Sequence, residues 1–318
     1  MLLGNLSNSI SSGRNKHRDA HGQYPVFGST GIIGYSSTYE YEGPVILVAR
    51  VGANAGTLNF ASGQYDVSDN TLIITIKQNV YDYNFAYNQL THYKLNKLVF
   101  GSGQPLITSK QLKNIRIPVP PLAEQRKIAE VLGVWDKAIE KQARLIEKLA
   151  LRKRALMQRL LSAKLRLPGF SEPWKKIKLG EICLIKKGKP LSFSQIKEGI
   201  YPVIAGGKTS PYSHNEYTDE RVITISASGA YAGFVSFHES KIWASDCSVI
   251  YPRNGLSVLK YIYALLSYKQ SYIYSLQVGG AQPHVFPKDI SNIIVNIPKE
   301  KEQTAIAEVL TAADREID

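Results

Sequence analysis

Ile128-Ala-Glu-Val-Leu132 returns, letter for letter, as Ile306-Ala-Glu-Val-Leu310. Working outward from this pair, Glu124-Gln125 matches Glu302-Gln303, Pro120 matches Pro298, Asn114 matches Asn292 and Gln104-Pro105 matches Gln282-Pro283, all at an offset of 178. Further back the offset is 177: Ser68-Asp69 matches Ser245-Asp246, Phe60 matches Phe237, Gly52-Ala-Asn-Ala-Gly56 matches Gly229-Ala-Tyr-Ala-Gly233, and Tyr24-Pro25-Val26 matches Tyr201-Pro202-Val203. So many matches in one order, at almost one offset, are an internal duplication.

Each repeat opens with a stretch of mixed character. Runs such as Val45-Ile-Leu-Val48, Thr71-Leu-Ile-Ile-Thr-Ile76 and Val222-Ile-Thr-Ile225 read as strands bounded by Gly, Asn and Ser, with short helices around Tyr83–His92 and Leu259–Tyr268. The second part is a helix. After Pro120-Pro121, the positions Ile128, Leu132, Trp135, Ile139, Gln142, Ile146, Leu149, Lys153, Leu156 and Leu160 alternate steps of four and three, a heptad seam. Pro168-Gly169 is the stop signal, so the helix is expected over 122–167, about 45 residues and roughly 68 Å. A helix of that length needs another helix over its apolar seam, and Gln142 and Lys153 are polar seam entries able to fix its register.

The fold class is therefore α+β: two mixed, β-rich globular domains joined by long antiparallel coiled-coil helices, related as a pseudo-twofold internal repeat. The expected boundaries are 1–121 for the first domain, 122–167 for the central helix, 168–298 for the second domain and 299–318 for a shorter distal helix. Asp318 aligns with Glu140 and Met1 aligns near Ile177, so the chain reads as two repeats lacking part of each end. Antiparallel pairing then covers the Lys148–Leu160 end of the seam and leaves Ile128, Leu132, Trp135 and Ile139 for a partner subunit or a second copy.

Composition narrows the function classes. The net charge is +13, concentrated in 122–167, where 12 Lys/Arg face 5 Asp/Glu. An anionic partner fits that balance, a nucleic-acid backbone being the commonest. Cys183 and Cys247 are too few for a disulfide framework, no Cys/His set has metal spacing, and no apolar run reaches membrane-span length, which favours a cytoplasmic setting. Enzyme-like patterns fail individually. Gly207-Lys208-Thr209 lacks the first glycine of a phosphate loop, since Pro202 stands there. Glu239-x-Lys241 is not repeated, its counterparts being Ser62 and Gln64, and His17/His21 is the only close histidine pair.

The Pro-Leu-Ala-Glu-Gln-Arg-Lys-Ile-Ala run at 121–129, with its weaker copy at 298–307, sits in the order domain, helix, domain, helix. This resembles the specificity subunits of type I restriction–modification systems, in which two target-recognition domains are separated by a central helix and followed by a distal one. The resemblance covers essentially the whole chain. It implies a recognition subunit with no catalytic or metal site and no cofactor of its own. The implied partners are double-stranded DNA, modification subunits methylating adenine with S-adenosylmethionine, and restriction subunits using ATP and Mg. Because the two domains differ in sequence, the implied target is bipartite and asymmetric. A helical adapter that binds proteins rather than DNA, or the detached specificity part of a fused enzyme, are the competing readings.

Candidate DNA contacts follow from what differs between repeats. Arg50 faces Ala227, Val51 faces Ser228 and Asn54 faces Tyr231, on Gly-Ala-x-Ala-Gly segments whose glycines read as turn formers. Arg pairs with guanine and Asn with adenine, so Arg50, Asn54, Ser228 and Tyr231 are candidate base readers. Arg14, Lys16, Arg18, Lys110, Lys113, Lys187, Lys189 and Lys208 are candidate phosphate contacts, with solvated surface charge as the alternative for each. Ile128, Leu132, Trp135, Ile139, Ile146, Leu149, Leu156 and Leu160 are the helix-seam, partner-binding set. The run Lys148–Arg166 carries seven cations and no acid; tracking phosphates, docking an acidic partner face and plain solvation fit it equally.

Overall fold

The computed structural model of the chain describes residues 1–16, 19, 21–101, 103–208 and 210–317; His17, Arg18, Thr209 and Asp318, each drawn on above, lie outside them. The chain divides into two units, Met1–Lys141 and Gln142–Asp318.

In the first unit the order is α1 (Leu3–Leu6), β1 (Ser7–Ser12), β2 (Tyr24–Gly28), β3 (Gly31–Ser36), β4 (Tyr41–Glu42), β5 (Val45–Ala49), β6 (Leu58–Ala61), β7 (Gln64–Val67), β8 (Thr71–Ile76), α2 (Tyr83–Tyr93), α3 (Ser109–Lys113) and the long helix α4 (Leu122–Leu160), which continues into the second unit. Its main sheet is antiparallel in the order β1-β8-β5-β6, and a smaller sheet runs β3-β2-β7-β4 with β2 and β7 parallel. β5 is Val-Ile-Leu-Val-Ala and buried throughout, because both faces of the main sheet are covered. Alternate residues point to opposite faces of a strand. Ile46, Val48, Leu72 and Ile74 pack with Phe85, Leu90 and Leu112, while Val45, Leu47 and Ile73 pack with Tyr65 and Val67 of the smaller sheet. Helix starts carry sequence caps: the Asp82 side chain accepts from the Asn84 and Phe85 amides, and Thr108 with Gln111 forms a capping box on α3.

The second unit repeats the plan with β9 (Lys175–Lys178), α5 (Leu179–Ile182), β10 (Cys183–Lys187), β11 (Tyr201–Ile204), β12 (Ser213–His214), β13 (Val222–Ser226), β14 (Val235–His238), β15 (Trp243–Ala244), β16 (Cys247–Pro252), α6 (Leu259–Tyr268), α7 (Gln270–Tyr274), α8 (Pro287–Ser291), β17 (Ile294–Ile297) and α9 (Glu300–Arg315). The sheet order β10-β16-β13-β14 copies β1-β8-β5-β6, and β11 parallel to β15 copies β2 parallel to β7. Fully buried β13 is the counterpart of β5.

α4 stops at Leu160, not at 167. Leu160 and Leu161 plug into the core of the second unit, and Ala163 takes a left-handed φ of 58°, turning the chain so that Arg166 reaches Glu302. The last part of α4 lies antiparallel to α9. Lys153 pairs with Asp314, Arg152 Nη1 lies 3.0 Å from Glu316 Oε2, and Leu156, Met157 and Leu160 share a core with Ile306, Ala307 and Leu310. The seam residue Lys153 thus fixes register by an ion pair, whereas Gln142 is exposed. Leu149 and Leu156 are half-buried and Leu160 fully buried, but Ile128, Leu132, Trp135, Ile139 and Ile146 are exposed, Trp135 and Ile139 by about two thirds.

Both cysteines are buried and free. Burial pushes the Cys183 thiol up to about 11 and the Cys247 thiol up to about 12. Thiolates are the reactive form, so at pH 8 neither is activated. Ellman's reagent is expected to leave both untouched in the native chain over the time in which urea-unfolded chain reacts completely. Fast reaction of either thiol in the native chain would contradict this burial.

Candidate nucleic-acid interface

At one end of each main sheet, two loops distant in sequence are zipped together by the same backbone bonds. In the first unit the turn after β5 closes by Ala55 N–H to Gly52 O (3.0 Å), Gly56 N–H to Ala49 O (2.8 Å) and Thr57 N–H to Asn54 O (2.9 Å). In the second, Ala232 to Gly229 (2.9 Å), Gly233 to Ser226 (2.8 Å) and Phe234 to Tyr231 (2.9 Å) reproduce it. Gly52 and Gly56 have φ of 79° and 86°, Gly229 and Gly233 of 79° and 89°, a region a side chain would strain. A Cβ on Gly56 would also stand 2.6 Å from the Asn96 nitrogen. These glycines are turn formers.

The second loop is Phe100–Leu106 in one unit and Val278–His284 in the other. Phe100 and Leu106 exchange backbone bonds of 3.1 and 2.9 Å, Val278 and His284 two of 2.9 Å. The loop is clipped to its neighbour by Gly52 N–H to Pro105 O (2.9 Å) and Ile107 N–H to Arg50 O (2.9 Å), and by Gly229 N–H to Pro283 O and Val285 N–H to Ala227 O, both 3.0 Å. This is what the repeated Gln-Pro does: its proline carbonyl joins the loops, while Gln104 and Gln282 stand exposed.

On this shared backbone the side chains differ. In the first unit Arg50 donates to Ser12 Oγ (3.2 Å) at the end of β1, and Asn54 is exposed at the turn. In the second unit Ser228 Oγ donates to the Asp246 carboxylate, and Tyr231 is exposed. Lys208 Nζ lies 5.0 Å from the Tyr231 ring centre and 5.4 Å from that of Phe234, within cation–π range. The Lys208 loop touches this site directly, since a Cβ on Gly206 would meet the Ser228 carbonyl at 2.6 Å. Two members escaped the sequence reading. His284, facing Ser228 across a β-bridge, stacks on the exposed Phe286 ring (6.1 Å, 14°), where the first unit has Leu106 and Thr108. Their signal was available: they are further positions at which aligned repeats differ.

The other candidates separate into two groups. Arg14 and Lys16 follow β1 at the end where Arg50 sits, and both are exposed; Arg14 pairs loosely with Glu40 at 3.7 Å. Lys187 and Lys189 close β10 at the corresponding end, with Lys187 opposite Ser248 and Lys189 5.0 Å from the Trp243 ring centre. Arg18 lies outside the described residues. Lys113 goes elsewhere: the short turn of α3 carries its stem onto Gly4 of α1, at 3.1 Å from a Cβ placed there, at the opposite end of the sheet. Lys110 is exposed on the same helix. Among the described residues no group of three His, Cys, Asp or Glu is placed to hold a metal ion, and no helix is long and apolar enough to cross a membrane.

Comparison with known proteins agrees with this duplicated layout. The MjaVIII type I restriction enzyme specificity subunit of Methanocaldococcus jannaschii is 26% identical over 311 residues, covering 86% of this chain and 73% of that protein. A putative type I specificity subunit of Haemophilus influenzae, S.HindORF215P, is 23% identical and covers 97% of this chain and 85% of that protein. Among solved structures, the S subunit of a type I restriction–modification system from M. genitalium superposes with a TM-score of 0.76 at 22% identity, over 100% of this chain and 89% of that one, which shows a shared fold. The profile of the type I restriction modification DNA specificity domain matches twice, at residues 8–150 and 171–318, one match for each repeat. Two repeats with one backbone and two sets of loop side chains are therefore two such domains in tandem, and the chain belongs to the type I restriction–modification DNA specificity family.

Proposed function

We propose that the chain is the non-catalytic recognition subunit of a type I restriction–modification enzyme, reading a bipartite, asymmetric duplex sequence with one loop pair per half-site. The observation carrying this reading is the pair of loop sites: identical main-chain bonding, with Arg50, Val51, Asn54 and Leu106 replaced by Ala227, Ser228, Tyr231 and His284. A conserved frame with exchanged hydrogen-bonding and aromatic groups suits two readers of different bases. Arg14, Lys16, Lys187 and Lys189 lie at the same sheet ends as these sites and Lys208 lies against Tyr231, and in this reading they supply sequence-independent phosphate attraction. Modification subunits, with S-adenosylmethionine, then flip and methylate an adenine in each half-site, and restriction subunits supply ATP- and Mg-dependent work. In this reading the setting is the cytoplasm, and no cofactor belongs to this chain.

Selection from a random duplex library, using the full chain with its modification subunits, tests it. A gapped motif with two unrelated halves is expected, with affinity falling by about 0.9 log units per log unit of salt for each phosphate contacted. No enrichment at any salt, together with tight binding to a protein partner, would replace it with the helical-adapter reading.

A further inference from the structure

The Glu-Gln that opens each helix holds a buried glutamine with the same three bonds in both units. Gln125 Oε1 accepts from Asp82 N–H (2.9 Å), and its Nε2 donates to Val80 O (2.9 Å) and Pro120 O (2.8 Å). Gln303 Oε1 accepts from Val258 N–H (3.0 Å), and its Nε2 donates to Leu256 O (3.1 Å) and Pro298 O (2.9 Å). Both are fully buried. Each ties the first turn of its helix to the second residue before that helix and to the segment leading into α2 or α6.

The two ties carry unequal shares. α9 also buries Ile306, Ala307 and Leu310 in its unit. In the first ten residues of α4 only Gln125 and Ala129 are buried and Leu122 is half-buried, so the helix rests on its domain by a small contact centred on Gln125. The approach through Pro118, Pro120 and Pro121 adds no backbone N–H donors. From Gln125 to Leu160 the helix runs about 52 Å, so a swing of about 5° at the joint moves its far end roughly 5 Å, more than the ~3.4 Å of one base step.

From this we infer that Gln125, and less strongly Gln303, are positioning residues that fix the angle between reading domain and helix, and so the number of unread base pairs tolerated between half-sites. The inference rests on the DNA-reading proposal, and two readouts keep them distinct. The first uses spin labels at the exposed positions His92→Cys and Lys137→Cys in the full chain, where buried Cys183 and Cys247 stay unlabelled. The distance distribution should be narrow with Gln125 and clearly broader with Gln125→Met, which keeps the length and loses all three bonds. Gln125→Asn keeps a neutral amide on a stem one methylene shorter, which cannot reach all three partners, and should fall between.

The second readout fixes both selected half-sites and varies the spacer by one or two base pairs, with the full chain and its modification subunits. Preference for the native spacer should drop from about tenfold to about threefold or less in Gln125→Met, with the bases read unchanged, and drop less in Gln303→Met. A folded Gln125→Met chain with native label distances, or with native spacer preference, overturns the inference. If Gln125→Met does not fold, Gln125→Asn and Gln303→Met carry the same two measurements, and native behaviour in both overturns it equally. If the unaltered chain selects no gapped motif, the DNA reading fails while the label distances still judge the latch.

Discussion

Replacing Arg166 by methionine is expected to cost the second unit about 3–5 kcal/mol, enough to lower its urea midpoint visibly while the first unit melts as before. Arg166 meets Glu302 as a two-pronged fork, Nε to Oε1 at 2.7 Å and Nη2 to Oε2 at 2.8 Å, and Nη2 also donates to the Glu172 carbonyl at 2.9 Å. The Glu302 side chain is 4% exposed, so removing the guanidinium strands a carboxylate where water does not reach it. The guanidinium also lies 5.7 Å from the Trp174 ring centre, giving a fluorescence reporter beside the lesion. Glu302→Gln in the same chain should restore most of the loss, because the stranded charge is the larger part of it. Arg166→Lys should fall between, since one ammonium cannot reproduce the fork. Arg152→Ala is the control: Arg152 and Glu316 are 65% and 50% exposed, and such a pair contributes about 0–1 kcal/mol. Equal effects at positions 152 and 166 would sink the argument.

What the sequence disclosed and what it withheld divide along physical lines. The duplication was legible because the same letters recur in one order at almost one offset, and the strands Val45–Ala49 and Val222–Ser226 and the seam of α4 because each is a local pattern of apolar residues. The end of α4 was not. Apolar residues continue through Leu161, Leu165 and Leu167 to Pro168, and the true stop comes from Leu160 and Leu161 entering the core while Arg166 swings to Glu302, 136 residues away. The Gly-Ala-x-Ala-Gly turn could be read as a turn, but not its union with the Gln-Pro loop, which is made by main-chain bonds between distant segments. Lys110 and Lys113 follow the Gln-Pro loop closely in the chain, yet the turn of α3 takes Lys113 to the far end of the sheet. Gln125 and Gln303 were visible as a repeated motif. Their role needed the partners Val80, Asp82, Leu256 and Val258, which no spacing rule supplies.

Exchange of loop side chains should move recognition from one half-site to the other. The chain carrying Arg50→Ala, Val51→Ser, Asn54→Tyr and Leu106→His presents in its first unit the groups that the second unit holds at Ala227, Ser228, Tyr231 and His284. The frame should accept them. Paired glycines agree in φ to within a few degrees, 79° and 79° at the first, 86° and 89° at the second, 99° and 104° in the Gln-Pro loop. The acid that Ser228 bonds has no exact counterpart: the Arg50 N–H binds the Asn70 carbonyl (2.9 Å) where the Ala227 N–H binds that of Asp246 (3.1 Å), so a serine at 51 is placed beside an amide residue and not an acid. The one native bond lost, Arg50 Nη1 to Ser12 Oγ at 3.2 Å, is partly exposed and costs little. Losing a bidentate base contact costs about 1–3 kcal/mol, so affinity for the native first half-site should fall from roughly tenfold to more than a hundredfold. In a fresh library selection the first half of the motif should shift toward the second, while the second half and the spacer stay as they were. Loss of all binding in a chain that melts like the parent would mean that the grafted groups are not sufficient readers. A motif unchanged in both halves would mean that these loops do not read bases, and that recognition lies elsewhere on the domains.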